Sequence, residues 1–155
     1  MAVEIREYRP ADWDAIARAH DAARLQELAP SVGVEAFRPL AETAKREGLF
    51  DEQVWVAELD GEVVGFVAYA HAEVTWMYVH PESQQRGVGR ALLRHALAHA
   101  DDLGGEGYVT VTVLDGNPAR KLYESEGFRL VETRRGGLAG NQDFAATGHV
   151  LERRL

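Results

Sequence analysis

Polar and apolar positions alternate from Val3 to Tyr8, and then fall at helical spacing through Trp13, Ile16, Ala17 and His20 toward Leu28. The alternation predicts a first strand. The second pattern predicts a helix opened by Pro10 and running to about Leu28, with Asp12 and Asp14 near its positive end. APSVG at 29–33 breaks it, and residues 34–47 read as a second helix ended by Gly48. Residues 54–81 are the most strand-like part of the chain. Asp60-Gly61 between alternating runs predicts a type I′ hairpin, whose two turn residues need positive φ. A second reversal near His71-Ala72 makes this a three-strand antiparallel meander ending at Pro81.

From Gly89 onward Leu92, Leu93, Ala96, Leu97, Ala100 and Leu103 share one stripe of a helix of about four turns, and GGEG at 104–107 breaks it. YVTVTVL at 108–114 is rich in β-branched residues and reads as a buried strand. Asn117-Pro118 then supplies an N-cap and a first helical residue, with Gly127 as the left-handed C-cap and Phe128 packing back. Strand 74–79, helix 89–103 and strand 108–114 form a crossover, so the two strands should run parallel. Phe128–Arg135 and His149–Leu155 read as a closing hairpin across a long loop at 136–148. The sum is an α/β chain with a mixed sheet, and no repeat, linker or low-complexity tract interrupts it.

A length of 155 residues favours one domain, 1–155, with one hydrophobic core. The net charge of −8 argues against a nucleic-acid partner and mildly favours a cationic substrate such as an amine. The chain has no cysteine, which removes disulfides, thiolate metal sites and a cysteine nucleophile. Its first residues lack the charged and apolar regions of a signal peptide, and the apolar segment 63–79 contains His71 and Glu73, so it reads as paired strands and not as a membrane span. A cytoplasmic protein without a membrane partner is the expectation.

The chemistry concentrates at Gln84–Arg90, QQRGVGR, where a strand meets a helix. A helix N-terminus offers unpaired N–H groups and roughly half a positive charge, which makes it an anion site. Gly87 and Gly89 would let a phosphate approach that backbone, and Arg86 and Arg90 add charge beside it. The nucleotide signature GxxxxGK[ST] is absent, and the dinucleotide pattern GxGxxG fails at Leu92.

Gln84-x-x-Gly87-x-Gly89, after a strand ending TWMYVHPES, resembles the acyl-CoA-binding signature of the GNAT superfamily of N-acetyltransferases. Asn117-Pro118-Ala119-Arg120 followed by Leu122-Tyr123-Glu124-x-x-Gly127-Phe128 is similar to the family's second motif at the usual distance. The close resemblance covers about residues 54–128. It implies a central mixed sheet of about seven strands flanked by about four helices, and an enzyme that moves an acetyl group from acetyl-CoA, its co-substrate, to a primary amine of a small molecule or peptide. A non-catalytic acyl-CoA-binding sensor or scaffold on the same fold is the alternative. Homodimers are common in the family, and no metal is implied.

The resemblance also assigns residues. The coenzyme A diphosphate would sit on the turn formed by Gln84, Gln85, Arg86, Gly87, Val88, Gly89 and Arg90, and the pantetheine arm would pair with the backbone of Met77, Tyr78 and Val79. Asn117 would contact that arm, and Tyr123 would lie near the sulfur and protonate the leaving thiolate. Attack by an alkylamine of pKa near 10 requires loss of a proton. Glu73, eleven residues before Gln84, matches the spacing of the catalytic glutamate in the histone-acetyltransferase branch. The residues alone leave Glu73 open as a solvent-facing strand residue, and Tyr123 as a core aromatic. The acceptor pocket is expected between the two N-terminal helices and the 136–148 loop, with His20, Arg24 and Glu27 on the first helix. His95 and His99, spaced i, i+4 with no third ligand, read as a solvated face.

Overall fold

The computed structural model describes residues 2–155. Seven strands form one sheet in the order β1-β2-β3-β4-β5-β7-β6, with β1 at Val3–Glu7, β2 at Gln53–Leu59, β3 at Glu62–Ala70, β4 at Glu73–Val79, β5 at Tyr108–Leu114, β6 at Arg129–Leu138 and β7 at Asn141–Arg154. Four α-helices flank it: α1 Trp13–Leu28, α2 Leu40–Arg46, α3 Val88–His99 and α4 Ala119–Ser125. The mixed α/β architecture expected from the chain is the one observed.

Alternation along β2 and β3 builds two cores, one on each face of the sheet. Trp55, Ala57 and Val67 pack with Leu92, Leu93 and Ala96 of α3 and with Tyr123 and Phe128. Val54, Val56, Phe66 and Ala68 pack on the other face with Ile16 of α1 and with Leu40 and Ala44 of α2. The meander turns where expected: Asp60 and Gly61 have φ of 54° and 83°, and His71 and Ala72 have 52° and 61°. The crossover through α3 makes β4 and β5 parallel.

Four expectations are corrected. Residues 34–47 are not one helix: a 3-10 turn at Val34–Ala36 is followed by extended Phe37, and α2 begins only after Pro39. The proline ring has no N–H and excludes Arg38 from helical angles. The 136–148 loop is strand, with Gly136 opposite Ala146 and the chain reversing at Ala139-Gly140. Backbone pairing needs no particular side chain, so the glycines and alanines of this stretch concealed it. On the face predicted to be solvated, the rings of His95 and His99 stack at 4.3 Å, and His95 meets Trp55 edge-on at 5.1 Å. Leu103 also leaves the apolar stripe, because α3 gives way to a 3-10 turn at Asp101–Leu103 that leaves it 40% exposed.

Helix α4 is bounded as its sequence implies. Asn117 Oδ1 accepts from the Ala119 N–H at 2.8 Å. At the other end Gly127 takes φ 93°, its N–H donates to the Glu124 carbonyl, and the Phe128 N–H donates to the Tyr123 carbonyl. This left-handed cap turns Phe128 onto Tyr123, ring centroids 5.6 Å apart. A side chain at that φ is strained by about 1–2 kcal/mol. Gly127→Ala is therefore expected to lower unfolding stability by about that amount in a urea titration; an unchanged midpoint would show that the cap does not carry this strain.

Candidate active site

Strands β4 and β5 pair only at Glu73 with Thr110 and Val74 with Val111. Beyond Val74 they part. The cause lies on the other edge of β4, where Ala68 faces Trp76 and Tyr69 faces Val74, so Thr75 is an extra residue. Such a bulge raises local twist and swings the strand away from its next neighbour. β3 still holds one edge of β4 as far as Val79, while the edge facing β5 stays unpaired through Met77, Tyr78 and Val79. An extended ligand can hydrogen-bond to an open strand edge of this kind.

The turn after β4 is built to point a helix end at that cleft. Gln84 Nε2 donates to the Val79 carbonyl at 3.0 Å and to Gln26 Oε1 at 2.9 Å, which ties the turn to β4 and α1. Gln85 and Gly87 adopt φ of 63° and 83°, and α3 starts at Val88, whose side chain is buried. The two glycines then do different work. A Cβ at Gly87 would meet nothing within 4 Å, so this position faces open space. A Cβ at Gly89 would lie 3.3 Å from Leu122 Cδ2, so this glycine lets α4 pack against α3. The arginines diverge as well. Arg90 Nη1 donates to Glu126 Oε2 at 2.5 Å and Ser125 Oγ at 3.1 Å, and Arg94 joins it on the same carboxylate. Arg86 is exposed and has no ion-pair partner among the described residues.

Tyr123 is 4% exposed, its ring inside the α3-side core and its hydroxyl 3.9 Å from Met77 Sδ on the cleft strand. It is both a core aromatic and a cleft residue. Burial, and next the neighbouring Tyr78, push its phenol well above the ordinary range, so it stays protonated. Asn117 is held at both ends of its amide: besides capping α4, its Nδ2 donates to Glu27 Oε2 at 2.7 Å. Glu27 is a hub that its sequence position conceals. Its Oε1 receives Arg24 Nη1 at 2.6 Å and the Tyr78 hydroxyl at 3.4 Å, while Arg24 Nη2 reaches the Ala139 carbonyl at 2.9 Å. The only signal in the chain is the i, i+3 spacing of Arg24 and Glu27; Tyr78 and Asn117 come from 51 and 90 residues away.

A cavity of about 230 Å³ lies against the opposite side of β4, walled by α1, α2 and the Ala139-Gly140 turn. This is where the acceptor pocket was expected. Thr75, Trp76 and Tyr78 line it, and His20 meets Tyr78 edge-on at 4.7 Å. His20 is 3% exposed, with Nδ1 2.9 Å from Asp21 Oδ1, and burial pushes its imidazole below the ordinary range. Glu73 does not line the cavity. Glu52, not anticipated from the sequence, does, and it accepts a hydrogen bond from the Thr75 hydroxyl. Glu73 is half-buried; its carboxyl is pushed up first by burial and then by the charge of Glu52, with Arg134 opposing. Burial likewise pushes Glu52 up, and the Thr75 hydroxyl opposes. Among the described residues no group of three or more His, Asp or Glu is placed to hold a metal ion, and no helix is long and apolar enough to cross a membrane.

Residues 50–130 match the acetyltransferase (GNAT) domain family. The N-acetyltransferase YafP of Escherichia coli is 28% identical over 86% of this chain and 85% of its own. The crystal structure of a GCN5-related N-acetyltransferase from Rhodopseudomonas palustris superposes with a TM-score of 0.82 at 22% identity, covering 100% of this chain and 97% of that one. The PaiA N-acetyltransferase of Thermoplasma acidophilum, solved in complex with coenzyme A, gives 0.77 at 17% identity and covers both chains in full. The chain belongs to the GNAT family of acetyltransferases, enzymes that take their acetyl group from acetyl-CoA.

The two raised carboxyls have a consequence for stability. A folded-state pKa above the unfolded value means that the charged form is disfavoured by folding. The contribution of Glu73 is fully present below the unfolded carboxylate pKa, near 4.3, and is lost as pH rises through the raised value. Glu73→Gln should therefore raise the melting temperature at pH 7, with the gain vanishing toward pH 4. A mutant less stable than the parent at pH 7 would show that the ionised carboxylate is favourably held.

Proposed function

We propose that this protein transfers the acetyl group of acetyl-CoA to a primary amine of a small molecule seated in the 230 Å³ cavity, by direct attack with both substrates bound. One observation carries the reading: the open edge of β4 and the cavity share the same strand segment. Met77, Tyr78 and Val79 border the cleft on one side, while Thr75, Trp76 and Tyr78 wall the cavity on the other. A donor in the cleft and an acceptor in the cavity would meet at β4.

The residues fit the donor. Its extended arm suits the free edge of Met77, Tyr78 and Val79, and its phosphates suit the amide groups from Arg86 to Arg90, where Gly87 leaves open space and Arg86 an uncommitted charge. Gln84 and Gln85 shape that turn, and Val88 and Gly89 seat it against the core. Asn117 fixes the start of α4, and with it the position of Tyr123. Acetyl-CoA supplies a thioester already activated toward an amine. With no cysteine in the chain, a thiol-based acyl-enzyme has no nucleophile.

The chain then has two protons to manage. Glu73 and Glu52 would accept the amine's proton, Glu52 on the cavity wall and Glu73 within reach of its charge; burial disfavours the ionised form of both, and the charge of Glu52 adds to this at Glu73. Tyr123 keeps its proton through burial and presents it at Oη to the leaving sulfur.

The reading is tested by acetyl-CoA with a panel of small primary amines, following release of free thiol. Thiol release dependent on an amine supports transfer. A melting temperature raised by acetyl-CoA without thiol release from any amine would make the chain an acyl-CoA-binding module.

If the carboxyl pair is the base, Glu73→Gln or Glu52→Gln should lower kcat/KM by about 10²–10⁴-fold with little change in affinity for coenzyme A. In the parent enzyme kcat/KM should climb with pH through an inflection above the ordinary carboxylate range. Wild-type rates in both mutants from pH 6 to 9 would remove the pair from the mechanism.

Tyr123→Phe keeps the ring and should cost about ten- to a hundredfold in kcat, at or below the range usual for a general acid, while Tyr123→Ala should also lower the melting temperature. Full activity in the Phe variant would leave Tyr123 a packing residue alone.

A further inference from the structure

Helix α2 runs along the acceptor cavity with opposite charges at its two ends. Arg38 lines the cavity just before the helix and Glu47 just after it. The seven residues between Pro39 and Glu47 span about 10 Å at 1.5 Å per residue. Glu52 lines the cavity as well, hydrogen-bonded to Thr75 on β4, so the wall carries two cations and two carboxylates.

The two cations are not equivalent. Arg24 is spent: its side chain is 11% exposed, paired with Glu27 at 2.6 Å and bonded to the Ala139 carbonyl. Arg38 is uncommitted. Its side chain is 45% exposed, and its one ion-pair contact, to Glu42, is 3.9 Å long. Surface pairs of that geometry contribute almost nothing, so a ligand can recruit the guanidinium at little cost. A guanidinium also matches a carboxylate with two parallel N–H groups.

We infer that the acceptor is a zwitterion, a small amine that also carries a carboxylate, with Arg38 binding the carboxylate while the amine lies toward Glu52, Thr75 and Trp76. This rests on the acetyl-transfer reading above and adds the substrate class. A bare alkylamine would leave Arg38 without a partner. An amine in a protein chain would have to enter a cavity walled on several sides by α1, α2 and the Ala139-Gly140 turn.

The test compares carboxylated amines with counterparts that lack the carboxylate: 4-aminobutyrate against n-butylamine, 6-aminohexanoate against n-hexylamine, and L-leucine against isoamylamine, each with acetyl-CoA. In at least one pair the carboxylated member should have the higher kcat/KM by about ten- to a hundredfold, the range of a charge-assisted hydrogen bond. Arg38→Ala should bring that ratio close to one, and Arg38→Lys should restore part of it. Arg38 is exposed, so the melting temperature should be unchanged in both variants. Equal or better turnover of the plain amines, or a ratio that survives Arg38→Ala, would overturn the zwitterion inference and leave acetyl transfer standing. Thiol release from none of the six probes would overturn transfer to small amines, and this inference with it.

Discussion

Two residue pairs of parallel ladder hold β4 to β5, and the rest of the site depends on their ending there. A fully paired strand would have no backbone groups to offer a ligand, and the sheet would be closed from edge to edge. The bulge at Thr75 ends the pairing without weakening the sheet, because β3 still holds β4 by its other edge up to Val79. The same bulge brings Thr75 and Trp76 onto the cavity wall. One inserted residue thus opens the cleft and helps line the cavity on the other side of β4.

An opened sheet needs something to keep its halves in register, and the Arg24–Glu27 pair does this from α1. Glu27 reaches Tyr78 on β4 and Asn117 ahead of α4, while Arg24 reaches the β6–β7 turn. Largely buried charges are costly to desolvate and give little net stability, but removing one of a pair leaves the other uncompensated. The arrangement therefore makes the spacing of four elements specific more than it makes the fold strong. Glu52 and Glu73 are the opposite case. Burial makes both unfavourable to ionise, and the charge of Glu52 adds to this at Glu73, so each carboxylate works against the fold.

Much of this was legible in the chain because it is local. A turn such as Asp60-Gly61, or the Asn117 and Gly127 ends of α4, depends on a few adjacent residues whose allowed φ and hydrogen bonds are properties of the residues themselves. The junction at Gln84–Arg90 was legible for the same reason. What misleads is equally local: Pro39 breaks an otherwise helical pattern, and the glycines of 136–148 suggest a loop where backbone pairing makes a hairpin. Gly89 and Arg90 lie in the first turn of α3, and their partners on α4 were invisible from that junction.

By itself, then, the sequence determined the order of strands and helices, the parallel crossover, the glycine turn before α3 and the family to which the chain belongs, since each follows from short-range geometry or from a motif. Tertiary structure alone decided how far β4 and β5 stay together, that Glu27 gathers Arg24, Tyr78 and Asn117, and that Glu73 feels the charge of Glu52. It also decided that Arg38 and Glu47 face one cavity. Each of these depends on distances between side chains far apart in sequence, and such distances exist only once the cores on the two faces of the sheet have packed.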